Sequence, residues 1–146
     1  MDAQEKARRR AAAARELERR KREEEEWLAW RQAEPPTGAG ARMQSVRDAA
    51  FELLLEHGQV YPGPALARQK LAQLFSDMGD NEGSAIYFEA YDQSLKLLRT
   101  AEALAETYRK GRVSQLGALL GFKERCPGFS MATYEAAFAH GLFVTR

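Results

Sequence analysis

Apolar and polar positions alternate along this chain with a helical period, and the longest unbroken run of that pattern, from Ser84 to Lys110, contains neither Gly nor Pro. Tyr87, Tyr91, Ser94, Leu98, Ala101, Ala105 and Tyr108 recur at spacings of four and three, while Ile86, Ala90, Leu97 and Leu104 widen the stripe into a broad face. The spacing predicts one long central helix. A face that wide has to be covered by neighbouring elements.

Those neighbours are legible on both sides. Upstream, Val46, Ala49, Ala50, Leu53 and Leu54 form the inward face of a helix that Ser45 and Asp48 open as a capping box and Gly58 ends. The stretch Gly58 to Pro64 holds two prolines and two glycines and reads as a loop, with Tyr61 placed to cover the core. Pro64 or Ala65 starts another helix, buried along Ala67, Leu71, Leu74, Phe75 and Met78; Gly79 stops it, and Asp80 or Asn81 caps the central helix. Downstream of Gly111, a shorter helix carries Val113, Leu116, Leu119 and Leu120 on one side, and Pro127 and Gly128 punctuate its exit. Ser130 caps the last helix, whose inner face is Met131, Tyr134, Ala137 and Phe138. Gly141 is placed to end it, with Leu142, Phe143 and Val144 folding back onto the domain. The expected fold is all-α: a compact five-helix domain over residues 41–146.

Ahead of the domain the pattern changes. Asp2 to Gln32 is rich in strong helix formers, with Ala11 to Ala14 flanked by Arg, Glu and Lys, but Leu17 is isolated and no heptad is sustained. Residues 1–34 therefore read as a charged helical arm, and Pro35 to Gly40 as a Pro/Gly linker. Charges along the arm come in blocks: nine basic residues between Lys6 and Arg22 against Glu16 and Glu18, then Glu23 to Glu26 in succession. Arg19, Arg20, Lys21 and Arg22 each precede a Glu by four positions, the weaker orientation for pairing, and the basic block sits toward the positive end of the helix dipole. Trp27, Leu28 and Trp30 then break the polar pattern. Two indoles three residues apart share one side of a helix and need a surface to rest on, whether the chain's own domain or another protein.

The overall charge of the 146 residues is +1, with the arm carrying ten basic and nine acidic residues and the remainder twelve of each. Neither part is basic overall, which argues against a surface built throughout to hold nucleic acid. Cys126 is the single cysteine, so no intramolecular disulfide or Cys-rich zinc framework forms, and a reducing, cytoplasmic setting is the simplest. No run is long and apolar enough to span a bilayer, and no signal-peptide core or acid-poor transit peptide opens the chain.

Candidate chemistries are thin. Asp80, Glu82, Gly83 and Glu89 have the spacing of late positions in an EF-hand loop, but the first ligand position is Met78, which supplies no carboxylate. Leu71, Ala72, Phe75, Gly79, Asp80 and Phe88 resemble one tetratricopeptide unit. Tyr91 stands where that repeat has a small residue and Lys96 where it has a proline, and no second copy follows, so the resemblance implies only two antiparallel helices. Val113 to Gly141 has the outline of a DNA-binding helix-turn-helix through Ser114 to Gly121. Its second helix, Met131 to His140, lacks Arg, Lys, Asn and Gln to read base edges, and the Lys123 to Phe129 connection is long for a tight turn. His57 and His140 sit at expected helix ends, and Cys126 has no base beside it in sequence, which makes it an inert, half-buried thiol. No catalytic, metal or cofactor-binding residues are assigned.

The reading is a small, non-enzymatic helical interaction or regulatory module that engages another protein through Arg19, Arg20, Lys21, Arg22, Trp27 and Trp30, with no membrane partner. The alternative is a nucleic-acid-associated protein in which Arg8, Arg9, Arg10 and Arg15, within the Arg8 to Arg22 block, contact phosphates, with a degenerate helix-turn-helix at the C-terminal end. Oligomeric state is left open by the sequence.

Overall fold

A computed structural model of the chain describes residues 2–57 and 80–146. Among these residues there are five helices and no strand: α1 (Ala3–Gln32), α2 (Gly38–His57), α3 (Asp80–Arg109), α4 (Gln115–Arg125) and α5 (Met131–Val144). The fold is all-α, as expected. The helix expected at Pro64 to Met78, the Gly58 to Pro64 loop with Tyr61, and Gly79 lie outside the described residues, which also leaves the first half of the tetratricopeptide resemblance undescribed. The chain divides into two compact units, Met1–Glu34 and Pro35–Arg146.

In the second unit α3 is the organising element and packs most extensively against α5, then α2, then α4. Its stripe is buried along Tyr87, Ala90, Ser94, Leu97, Leu98, Ala101, Leu104 and Ala105. Ser94, a hydroxyl in that apolar seam, is satisfied by donating to the Ala90 carbonyl at 2.7 Å. Tyr108, expected on the buried face, is exposed at the last turn of α3 but lays its ring edge-on against Phe138 of α5, centroids 5.4 Å apart. Antiparallel to α3, helix α2 packs Leu53 against Tyr87 and, further along, Val46 and Ala50 against Ala90. Helix α4 approaches α3 through Gly121, where an added Cβ would lie 3.4 Å from Leu104, and through Cys126, whose thiol reaches Thr100. A run of aromatic contacts joins α2, the α4–α5 connection and both flanking helices: Phe51 on Phe129, Phe129 on Tyr134, Tyr134 stacked on Phe122, and Phe122 on Phe138. Each such ring fully removed from water contributes about 1.5–3 kcal/mol, so this cluster and the α3 stripe dominate the stability of the unit.

Three expectations about helix ends are corrected. Helix α2 begins at Gly38, so Ser45 is interior to it and donates to the Ala41 carbonyl one turn back; no capping box forms there. The Pro/Gly linker is correspondingly shorter than Pro35 to Gly40. Gly141 does not end α5, which runs on to Val144. Gly141 is instead buried where α5 crosses α3, and a Cβ on it would stand 2.5 Å from the Ala101 carbonyl oxygen and 3.0 Å from the Ala105 Cβ. The tail does not fold back either: Phe143 and Val144 are 60% and 46% exposed on the last turn of α5. Where a glycine does stop a helix is at Gly111, with φ +72: its N–H bonds the Tyr108 carbonyl and the Arg112 N–H bonds that of Thr107, closing α3 in a Schellman motif. Ser130, as expected, caps α5 by accepting from the Thr133 N–H.

Candidate functional site

Helix α1 forms because its residues are good helix formers and because Asp2 caps it, accepting from the Glu5 N–H at 2.7 Å. It ends at Gln32 as the chain turns extended ahead of Pro35. No residue of α1 is buried. Its half-buried positions are Glu16, Arg19, Glu23, Trp27 and Trp30, which recur every three or four residues and so share one face.

On that face the charges interlock. Arg19 bonds Glu16 at 2.5 Å and lies 3.8 Å from Glu23, and Arg20 turns back to the same Glu16 at 3.4 Å. The Arg19 guanidinium holds the Glu16 carboxyl below its usual range, and Glu16 in turn raises Arg19. Of the four pairings anticipated along the helix, only Arg19 to Glu23 is made. Among the described residues Lys21, Arg22, Glu24, Glu25 and Glu26 form no ion pair. The reason is the orientation already noted: an arginine reaches a glutamate on its N-terminal side more favourably than one on its C-terminal side.

One turn further on, Trp27 and Trp30 meet edge-to-face, with centroids 5.6 Å apart and planes at 86°. That is a preferred aromatic geometry, and it holds the two indoles as one amphipathic unit on the face that carries Arg19. Leu28, between them in sequence, points away and is 51% exposed.

The phosphate-binding candidates are less coherent. Arg8, Arg9, Arg10 and Arg15 are all exposed, but Arg9 is tied to Glu5 at 3.5 Å, and three consecutive arginines necessarily point to three sides of a helix. Arg8, Arg15 and Arg22 do align, at intervals of seven. Between Arg15 and Arg22, however, Glu18 lines the same shallow depression with Ala14 and sets a carboxylate beside the guanidinium groups.

A second cluster of functional-type side chains escaped sequence reading altogether. Asp48 of α2 accepts from the Ser130 N–H at 3.0 Å, Gln44 donates to the Phe129 carbonyl at 3.3 Å, and Arg47 donates to Gln93 of α3 at 2.7 Å. Gly128, at φ +104, passes so close to Arg47 that an added Cβ would lie 2.7 Å from its guanidinium nitrogen. Behind this latch Tyr134 donates to the Cys126 carbonyl at 2.6 Å and accepts from the Phe129 N–H. These groups are spent on one another, gripping the α4–α5 connection. In a local capping box the third helical residue returns a side chain to the cap's own N–H; here Asp48, eighty-two positions away, does that for α5.

The remaining candidates lose their chemistry in place. Cys126 is fully rather than half buried, and its Sγ donates to Thr100 Oγ1 at 3.4 Å. His140 lies a turn short of the α5 terminus, since that helix continues past Gly141, and His57 closes α2 at the edge of the described residues. Among the described residues no three His, Cys, Asp or Glu side chains converge on a point where a metal ion would sit, and Glu89, of the EF-hand set, is bonded by Gln93. The helix-turn-helix outline survives as α4, a connection and α5, but the exposed positions of α5 are Ala132, Glu135, Ala136, Ala139, Phe143 and Val144, none of which donates to a base edge. No described helix is long and apolar enough to cross a membrane. Comparison with protein-family models, curated proteins and solved structures returns no match.

Proposed function

We propose that the protein is a non-enzymatic helical interaction module, in which α1 engages a partner protein through the face carrying Arg19, Trp27 and Trp30. The observation that carries this reading is the pairing of an edge-to-face indole couple with an ion-paired arginine on one face of a helix that has no buried residue. Tryptophan and arginine are the side chains most enriched among residues that dominate binding energy, and a preformed Arg19–Glu16 pair limits the entropy lost on docking. Arg20, Lys21 and Arg22, ahead of the Glu23 to Glu26 run, give the helix opposite-sign blocks that orient an incoming surface and speed encounter. A reducing compartment suits the single buried thiol.

Recovering partners from the native host with the full chain, and with a Trp27→Ala/Trp30→Ala chain, tests this. The double variant is expected to lose a protein that the unaltered chain retains, while its own stability moves by less than about 0.5 kcal/mol. A marked loss of thermal stability in the isolated double variant would assign the indoles to the chain's own packing and refute the reading.

The second reading, phosphate binding through α1, is favoured by the alignment of exposed Arg8, Arg15 and Arg22 at seven-residue intervals. It predicts binding to duplex DNA of any sequence whose affinity falls steeply with salt, and Arg8→Ala/Arg15→Ala should make that slope shallower by roughly two counterions. Binding that ignores salt would exclude it.

A further inference from the structure

The run Arg19-Arg20-Lys21-Arg22-Glu23-Glu24-Glu25-Glu26 is its own charge complement when read backwards, and Leu17 and Leu28 lie equally far on either side of its midpoint. On the helix, Leu17, Lys21, Glu24 and Leu28 are spaced four, three and four residues apart, which brings all four within one narrow stripe. That stripe lies on the side of α1 away from Arg19 and Trp30, about a quarter turn from Trp27. All four residues are exposed, Leu17 and Leu28 by 56% and 51%, and apart from the two indoles these leucines are the large apolar side chains of the helix.

We propose that this stripe pairs, antiparallel, with the same stripe of a second copy of the chain. A two-fold axis passing between Arg22 and Glu23 sets Leu17 opposite Leu28 of the second copy and Lys21 opposite its Glu24, each contact made twice. The basic block of each helix then lies along the acidic block of the other. A parallel, in-register pairing would instead set four cations against four cations, so the charge pattern selects one orientation. The interface is isologous and closes at two copies. Lys21 and Glu24 make no ion pair within the chain, so no existing bond is lost when they meet across the axis. Four leucines and solvated ion pairs make a modest contact, and exposed charge pairs are screened within about 10 Å at 0.1 M salt, so the association is weak and salt-sensitive. It shares Lys21 and the two charge blocks with the partner reading above but not the indoles, and the test below reads it in the absence of any partner.

Sedimentation equilibrium on the full chain, up to about 1 mM protein at low and high salt, reads the association directly. The unaltered chain is expected to dimerise at low salt and dissociate as salt rises. Lys21→Glu sets like charges against each other twice, as does Glu24→Lys, and each alone should weaken the dimer about tenfold. Both sites are exposed, so far-UV circular dichroism should be unchanged. An equimolar mixture of the two variants restores every opposite-sign contact and should associate as tightly as the unaltered chain. A chain that stays monomeric at low salt overturns the proposal, as does a dimer that neither substitution weakens or that mixing fails to restore.

Discussion

Single atoms decide several of the contacts that matter most. At Gly141 a hydrogen occupies the space where any other residue would set a carbon 2.5 Å from the Ala101 carbonyl, and that obstacle is backbone, which cannot rotate aside. Gly141→Ala should cost about 2 kcal/mol, the overpacking penalty of about 3 less the roughly 1 kcal/mol by which Ala favours a helix, read as a lowered denaturant midpoint. Asp48→Ala strips the acceptor from the Ser130 N–H and should cost about 1–2 kcal/mol, whereas Ser45→Ala, at the other half of the apparent motif, should cost almost nothing. Tyr134 carries the pH dependence. Burial pushes its phenol up to about 12 from an ordinary 10.0, so the folded chain keeps a proton that the unfolded chain releases first. That contribution is intact below pH 10 and lost as the pH climbs toward 12. Tyr134→Phe, which orphans the Cys126 carbonyl and the Phe129 N–H, should cost about 1–3 kcal/mol at neutral pH, and the gap between the two proteins in urea melts should narrow above pH 10.

Among the elements, α3 was the most legible, because a helix buried along a broad face has to repeat apolar residues for its whole length. Leu97 and Leu98 are buried at its centre, so Leu97→Asp and Leu98→Asp should each abolish the cooperative thermal transition of the Pro35–Arg146 unit. A Leu98→Asp chain that melts unchanged would mean that this side of α3 is not core. The ends of elements were harder to see. A glycine is read as a stop, and Gly111 does take the left-handed conformation that a helix C-terminus uses, while Gly141 is there for its missing side chain. Arg109 explains how α5 outlasts Gly141: it donates to the Leu142 carbonyl and to Thr145 Oγ1, satisfying groups at the last turn and placing a cation at the negative end of the helix.

For the molecule as a whole, the division at Glu34 and Pro35 separates a helix with no buried residue from a unit that holds the buried core. Residues 35–146 are therefore expected to fold alone, with a calorimetric transition as cooperative as that of the full chain. A start at Ala41 is less favourable, since it removes the first turn of α2. If the 35–146 fragment lost its cooperative transition, the arm would belong to the core. Placing recognition on α1 rests on this separation of tasks, because a surface that carries none of the core can be altered without unfolding the other unit.

Helix content, the dominance of α3, the cap at Ser130 and the segregation of charge into the arm were determined by the sequence alone. Each depends on residues within a turn or two of one another, and the 3.6-residue period writes such relations directly into the chain. The mirror-image charges around Arg22 and Glu23 were equally present there, although only the exposure of Leu17 and Leu28 on one stripe gives them a geometry. Tertiary structure decided the rest: that Asp48 caps a helix eighty-two residues away, and that Gly141 is a contact. These depend on which backbone comes within 3 Å of which side chain. Local spacing carries no record of that distance, because it is set by how whole helices cross.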